Sequence, residues 1–460
     1  MSQKRLVLAI SISTGWAVRN FFQTEIVEKL KKYFHVLIFT TPAIHKNLVE
    51  QGYGIGINFA VRGDLVEPLS WRLFRQLKKK IYMESRNSST EAIWGKFVKR
   101  PLYQRVGGKF INFVLRMVNA DRLLSLIEDL DFTFNSCSRT NHLFRQYKPD
   151  LFFATHASTF FEESLLHSSI KNNVPVVFMV LSWDHLSSKI VLSKKYRSIY
   201  VWNNLTKSEI LQTCSAYTDK QIKVVGVPQY DIYAQKPDIN YAEWCQRCGL
   251  DPAKQTILFS TMPQVRHEQQ HIIIQNILSS IVTGEKLPTN LQVLIKCHPF
   301  DNDDKYDYLL GKYPVALLKS TLTKGKPHGQ WFPSQHEMTI SRDVLYFCDI
   351  NINIFSTVTL EAAYFDKPII HIAFDPNPIE NRIPCKEYYN FEHFKNITKM
   401  QASIMAFNYD ELFSGINDYL ANKNIKSEQR SKLVTEYFNI LPGKAAENVV
   451  QMLNAECSRK

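Results

Sequence analysis

Asn353-Ile354-Phe355-Ser356-Thr357-Val358-Thr359-Leu360-Glu361-Ala362-Ala363-Tyr364-Phe365-Asp366-Lys367-Pro368-Ile369-Ile370-His371-Ile372 decides the fold of this chain. It reads as a strand end, a helix, a turn and a second strand. Ser356 and Thr357 are N-cap types, whose side-chain oxygens accept hydrogen bonds from early helix amides. Leu360, Ala363 and Tyr364 supply helical spacing. Asp366-Lys367-Pro368 ends the helix, because a residue before proline is pushed out of the helical region. Pro368 to Phe374 is a short apolar run suited to a buried parallel strand.

Unpaired amides at such a helix start attract anions, phosphate in particular. Glu361 lies five residues after Ser356, about 7.5 Å along a helix axis. That is the span from a phosphate to a ribose hydroxyl. The same residues also fit an ordinary βαβ unit with a capped helix and a solvated Glu361, and this stretch alone leaves both readings open.

The rhythm extends outward in both directions. Leu6–Ile12, His35–Thr40, Asp150–Thr155, Val174–Leu181, Ser198–Trp202 and Gln221–Val225 read as a first set of strands, with Asn20–Tyr33 as a helix. Thr256–Ser260, Gln292–Lys296, Asp349–Ile354 and Pro368–Phe374 form a second set, closed by helices over 409–422 and 443–455. Alternating strands and helices imply parallel sheets covered on both faces. The expected fold is α/β, with two tandem Rossmann-like doubly wound domains facing across a cleft. Residues 1–237 form the first and 238–460 the second, and a basic helical insertion of about 62–130 lies in the first.

The chain has 460 residues, is 45% hydrophobic and 22% charged, and carries a net +13, an ordinary globular composition. The charge is uneven. Residues 71–116 hold twelve Lys/Arg and two Glu, most of the excess. One basic segment does not describe a nucleic-acid-binding surface, and no nucleic-acid partner is expected. Lys4-Arg5 before the apolar run Leu6–Ile12 imitates a signal peptide, but no small-residue cleavage site follows. Eight scattered cysteines, with one Cys245-x-x-Cys248 pair, form no zinc framework and fit a reducing compartment. The expected location is cytoplasmic, with peripheral attachment to the inner face of the cytoplasmic membrane open to the basic segment.

Polar motifs follow the strands. Ser182-Trp183-Asp184-His185-Leu186-Ser187-Ser188-Lys189 comes after Val174–Leu181, and Val225-Gly226-Val227-Pro228-Gln229-Tyr230-Asp231 closes the first half. Ser260-Thr261-Met262-Pro263-Gln264 and Lys296-Cys297-His298-Pro299 follow the first two strands of the second half. With Phe355–Pro368, their order resembles the GT-B glycosyltransferase superfamily. The likeness is greatest to the branch that includes CDP-glycerol glycerophosphotransferases and bacterial surface-polysaccharide glycosyltransferases. It covers about 150–375 and omits 71–130.

The resemblance implies a donor nucleotide held mainly by the second domain and an acceptor held mainly by the first. Ser356, Thr357 and Glu361 match the donor-binding strand–helix segment, His298 a position facing donor phosphates, and Ser260 and Thr261 the loop after the first strand of the second domain. Lys296 accompanies His298. Many retaining members carry a second acidic residue where this chain has Asn353, so stereochemistry is not carried over. Asp184 and His185 are the candidates for taking a proton from an acceptor hydroxyl, with Glu162 and Glu163 next. Asp184 also reads as an Asx turn or helix cap, and Trp183 reads as core. Arg19, after the first strand, is open between an anion contact and a surface ion pair.

The leaving nucleotide phosphate needs positive or hydrogen-bond-donating surroundings. Asp301-Asn302-Asp303-Asp304 reads as a solvated acidic turn rather than a metal site, so no metal is expected, and the nucleotide donor is a co-substrate rather than a cofactor. The leading reading is transfer of a sugar from a nucleotide-activated donor to a bacterial surface polysaccharide or its lipid-linked precursor. Transfer of a polyol phosphate from a CDP-linked donor is the alternative, ahead of a nucleotide-sugar epimerase and a non-catalytic binding protein. Trp71, Phe74, Leu77 and Ile81, then Phe110, Phe113, Val114 and Met117, form apolar stripes among the basic residues of 71–116. Such a pattern suits an anionic membrane surface, a polyanionic acceptor, or packing on the first domain with solvated charges.

Overall fold

The structure, a computed structural model, describes residues 5–63, 66–86, 88–98, 108, 111, 113–319 and 332–457. Apolar runs buried on both faces form the strands, as parallel sheets covered by helices require. The first sheet holds β1 (Val7–Ile12), β2 (His35–Thr40), β3 (Asn58–Val61), β4 (Leu151–Ala154), β5 (Val176–Met179), β6 (Ser198–Val201) and β7 (Ile222–Val224), in the order β3-β2-β1-β4-β5-β6-β7. The second holds β8 (Gln255–Ser260), β9 (Leu291–Lys296), β10 (Val315–Leu318), β11 (Ile350–Asn353), β12 (Ile369–Ile372) and β13 (Ile404–Ala406), in the order β10-β9-β8-β11-β12-β13. All pairings are parallel. Each sheet reverses its winding once, between β1 and β4 and between β8 and β11. A doubly wound sheet opens its ligand crevice outside the carboxyl ends of the strands at that point.

The sequence pattern omits β3, β10 and β13. All three are edge strands, with burial on only part of their length. The helix expected over Asn20–Tyr33 is two short helices, Gly15–Phe21 and Ile26–Leu30. Thr14 caps the first, accepting from the Ala17 amide at 3.2 Å. Thr24 Oγ1 then donates back to the Asn20 carbonyl at 2.6 Å, a local bond that competes with continuing the helix.

The last helix, Ala445–Cys457, follows the second sheet in sequence, and the division at 237/238 groups it there. Its side chains Ala446, Val449, Val450 and Leu453 instead pack into the first core, with Phe21, Ile26 and Leu30. Asp231 holds its start: the carboxylate accepts from the amides of Gly443 (2.8 Å), Ala445 (3.1 Å) and Ala446 (2.7 Å). The chain therefore leaves the first half after β7 and returns to it before the last helix. Gly226 sits where the two crossings touch. Its φ is +89°, and an added Cβ would lie 2.9 Å from Ala445 Cβ and from Ile440 Cβ.

Gly226→Ala therefore adds a left-handed penalty to a steric one. The expected loss of unfolding free energy is about 2 kcal/mol or more, read as a lower midpoint in urea. A control at exposed Gly63, which has no neighbour within 4 Å of an added Cβ, should shift little.

Candidate functional site

A cleft of about 1900 Å³ lies between the carboxyl ends of the two sheets. That exceeds the space one small ligand needs and admits two substrates together.

On its second-half wall, the turn after β11 is strained. Phe355 has φ +43°, sustained only because its surroundings over-determine it. Its ring packs on Tyr388 at 5.5 Å and Phe394 at 4.8 Å, and its amide donates to Tyr389 Oη at 3.2 Å. Ser356 and Thr357 follow at the cleft surface. Ser356 Oγ accepts from the Val358 amide at 3.3 Å. Thr357 occupies the cap position of the helix Val358–Tyr364 without a side-chain cap bond.

Beneath this turn runs a buried polar chain. Asn351 Nδ2 donates to Ser260 Oγ (3.1 Å), and Asn353 Nδ2 to Asn351 Oδ1 (2.7 Å). Thr359 Oγ1 donates to Asn353 Oδ1 (3.3 Å) and meets His371 Nε2 (2.8 Å), while His371 Nδ1 meets Ser403 Oγ (2.9 Å). Burial pushes His371 down to about 3, so the link is a neutral imidazole.

Lys296 and His298 leave the end of β9. Lys296 Nζ donates to Ser341 Oγ at 3.0 Å. Burial lowers its pKa, nearby Glu361 opposes that shift, and Arg19 adds to it. The His298 amide donates to Thr261 Oγ1 at 2.8 Å, and its Nδ1 accepts from the Phe300 amide at 3.0 Å. The neutral ring thus carries its proton on Nε2. Ser260 and Thr261 line the cleft, but their hydroxyls hold Asn351 and the His298 loop. Glu361 also lines it, and its carboxylate accepts from Tyr230 Oη at 3.3 Å and from Tyr233 Oη. Burial, then Glu361, pushes both phenols well above the usual range.

The first-half wall carries the acceptor candidates. Asp184 accepts from Ser182 Oγ at 2.5 Å and pairs with Lys189 at 2.6 Å. Burial would raise it, but Lys189, His393 and His185 hold it well below the usual carboxylate range. His185 is buried and pushed down to about 3, although Asp184 opposes the shift. Trp183 packs on His393 (5.1 Å), Phe394 (5.9 Å) and Tyr437 (5.9 Å), a seam between the halves, as its core reading expects. Two lining residues went unread in the sequence, His156 and His393, both pushed down to about 4 by burial first of all. Neither sits in a motif that marks it; only the fold brings them to the cleft. Glu162 and Glu163 line the same wall, each raised to about 7 by burial.

Part of the basic segment is matched by carboxylates. In the helix Leu69–Ser85, Arg75 meets Glu163 (2.9 Å), Lys78 meets Asp131 (2.7 Å) and Arg72 meets Glu67 (3.4 Å), while Lys80 meets Glu84. Trp71 is buried against Phe160 at 5.0 Å. Phe110 lies outside the described residues. The next helix, Ser89–Phe97, crosses to the second half. Ser89 Oγ donates to Glu392 (2.8 Å), the Glu392 amide donates to Thr90 Oγ1 (2.9 Å), and Ile93 packs with Ile383, Tyr388 and Phe391. Arg266 lies over the Trp94 ring at 5.1 Å. Nothing in the segment's charge or periodicity marks it as a bridge. The Asp301–Asp304 turn is only partly solvated: Asn302 and Asp304 are exposed, but the Asp301 carboxylate is fully buried, pairs with Lys305 at 2.8 Å and accepts from Tyr306 Oη at 2.8 Å. Among the described residues no three His, Cys, Asp or Glu side chains are grouped to hold a metal ion.

Known proteins resemble this chain. Teichoic acid ribitol-phosphate polymerase TarL of Staphylococcus aureus (strain NCTC 8325 / PS 47) is 24% identical over 242 residues, 51% of this chain, which spans 37% of the length of TarL. A solved UDP-GlcNAc 2-epimerase from Neisseria meningitidis covers 97% of this chain, and 99% of its own, with TM-score 0.55 at 12% identity. A glycosyltransferase from Rickettsia africae ESF-5 covers 100% of both chains, with TM-score 0.50 at 10% identity. At these identities the two structures establish a shared fold, the GT-B arrangement of paired Rossmann-like domains. The family model described as CDP-glycerol:poly(glycerophosphate) glycerophosphotransferase matches residues 186–455. That match begins just after His185 and runs through the Lys296–His298 loop and the Phe355 turn to the returning helix, and the chain belongs to this family of transferases.

Proposed function

We propose that the protein transfers a polyol phosphate from a CDP-linked donor to a hydroxyl of a surface polymer. The observation that carries this reading is the meeting of Lys296 and His298 with the Asp184–His185 wall across one cleft. Family membership and the likeness to a ribitol-phosphate polymerase favour this over the sugar transfer that the sequence reading puts first.

The acceptor oxygen forms a bond to the donor's β-phosphorus, and the bond from that phosphorus to the bridging oxygen breaks. CMP leaves with the electron pair. Lys296 and the His298 Nε2–H stand where charge develops on the leaving phosphate, and electrostatic stabilisation of this kind is commonly the largest single contribution to catalysis. Glu361 changes partner from the Tyr230 and Tyr233 phenols to the ribose hydroxyls. No step requires a metal, so activity is expected to survive EDTA.

The two transfers differ in their product. A polyol-phosphate transferase releases CMP; a sugar transferase cleaves the sugar–oxygen bond and releases a nucleoside diphosphate. Chromatography after incubation with CDP-glycerol or CDP-ribitol and a polymer acceptor is expected to show CMP. His298→Ala is expected to lower kcat by about 10²–10³-fold, with little change in melting temperature. Lys296→Met is expected to weaken CDP binding tenfold or more, about 1.4 kcal/mol, without lowering stability, since it removes a charge held in a buried site. Equal CDP affinity by calorimetry would remove Lys296 from the donor site.

Membrane attachment is a second proposal, favoured by one surface. Leu69, Leu73 and Leu77 are 67%, 55% and 40% exposed, and Leu126, Leu130 and Phe134 are 57%, 39% and 72% exposed on the neighbouring helix Ala120–Phe134. Ser70–Asn135 and Lys78–Asp131 contacts lay the two helices side by side. This double apolar ladder suits a lipid interface; among the described residues no helix is long and apolar enough to cross one. Flotation with anionic liposomes is expected to recover the protein at low salt, less at high salt, and to fail for Leu73→Glu with Leu130→Glu. Flotation that persists in the double variant would overturn this attachment.

A further inference from the structure

The Asp184–His185 wall contains one carboxyl group with no structural explanation. Glu162 lies in the first turn of the helix Phe160–Lys171, at the carboxyl end of β4, and only 2% of it is exposed. Its Oε1 accepts from Ser13 Oγ. Its Oε2 is buried with no hydrogen-bond partner, the only carboxylate oxygen among the described residues so placed. A buried polar atom without a partner is expensive, and such atoms in native structures call for a reason. Glutamine would keep the Ser13 contact without burying an acid.

The surroundings set its chemistry. Ser11 and Ser13 face it from β1 and the loop that follows, and His156 lines the cleft from the loop after β4, in ring contact with His185 at 6.0 Å. Tyr196 feels Glu162 from the segment before β6, its phenol raised well above its usual range, chiefly by burial. Glu163 is adjacent on the same helix but paired with Arg75. Arg19, Arg75, Lys78, Lys79 and Lys189 are among the cations lining the cleft, and none of them is among the influences on Glu162. Asp184, tied to Lys189 and held low, is a poor proton acceptor at neutral pH, and His185 and His156, pushed far below neutrality, are weak bases. Glu162, lifted by burial against the opposing Ser11 and Ser13 hydroxyls, titrates near 7, where a general base works best.

We propose that Glu162 is a catalytic residue, its Oε2 taking the proton from the acceptor hydroxyl as that oxygen bonds to the donor phosphorus. The assignment rests on the transfer reaction proposed above. The proton passes from acceptor oxygen to Glu162 and then to water, and the electron pair of the broken P–O bond leaves with CMP.

The test is CMP release from a CDP-linked polyol with acceptor, measured against pH for the unaltered protein, Glu162→Gln and Ser13→Ala. The unaltered protein should lose kcat below about pH 7. Glu162→Gln should lower kcat at least a hundredfold and abolish that acidic limb, with CDP affinity within twofold. Its stability should rise above pH 7: a carboxyl whose folded pKa is raised loses stability as pH climbs through that value, and glutamine removes the loss. Ser13→Ala, which takes away an opposing hydroxyl, should move the limb to higher pH. CMP release by Glu162→Gln within threefold of the unaltered protein, or a limb unmoved in Ser13→Ala, overturns the Glu162 assignment alone. No CMP from the unaltered protein overturns the transfer reading and this assignment with it.

Discussion

Everything in this cleft depends on how two separate sheets are held at a fixed spacing, and one carboxylate does much of that. Asp231 gathers three amides at the start of the last helix, satisfying donors that a helix start leaves open. It thereby fastens the chain returning from the second sheet to the segment that left the first. Gly226 and Gly443, both at positive φ, let the two crossings approach to within reach of that carboxylate. The helix Ser89–Phe97 makes the second fastening, from the far side.

The two walls then divide the chemistry by solvation. The second-half wall presents a cation, Lys296, and an imidazole with its proton directed by the Phe300 amide, both suited to an anion. The first-half wall gathers histidines that burial keeps neutral and carboxyl groups that burial raises, of which Asp184 is nonetheless held low by Lys189, His393 and His185. Asp184 and Glu162 are the same functional group in the same cleft. Lys189 makes one a permanent anion, and its lack of influence on the other leaves that group titratable.

How much of this was legible in the sequence follows the physics of each signal. Most central strands announce themselves because burial on both faces favours apolar runs, as in β2, β4, β5 and β12. Edge strands β3, β10 and β13 went unread, although Val315–Leu318 and Ile404–Ala406 are apolar throughout. Lys296, His298, Ser356 and Glu361 were readable because strand ends in this fold point at one crevice. His156 and His393 were not, because only tertiary folding brings a lone histidine to that crevice. The insertion misled in a different way: its charge was visible, but the partners Glu163 and Asp131 that match it lie outside the segment, and pairing across sequence leaves no local trace.

The contact between Glu361 and the phenols of Tyr230 and Tyr233 has a thermodynamic consequence. The tyrosines belong to the connector between the sheets, and Glu361 to the second-half wall of the cleft. A ligand that drew hydrogen bonds to Glu361 would compete with that contact, so its binding and the Tyr230–Tyr233 contact would be linked variables. Linkage is reciprocal. Whatever favours the tyrosine-bound arrangement lowers ligand affinity by the same factor by which the ligand loosens the connector, and an effect on binding can therefore arise at residues that never touch the ligand.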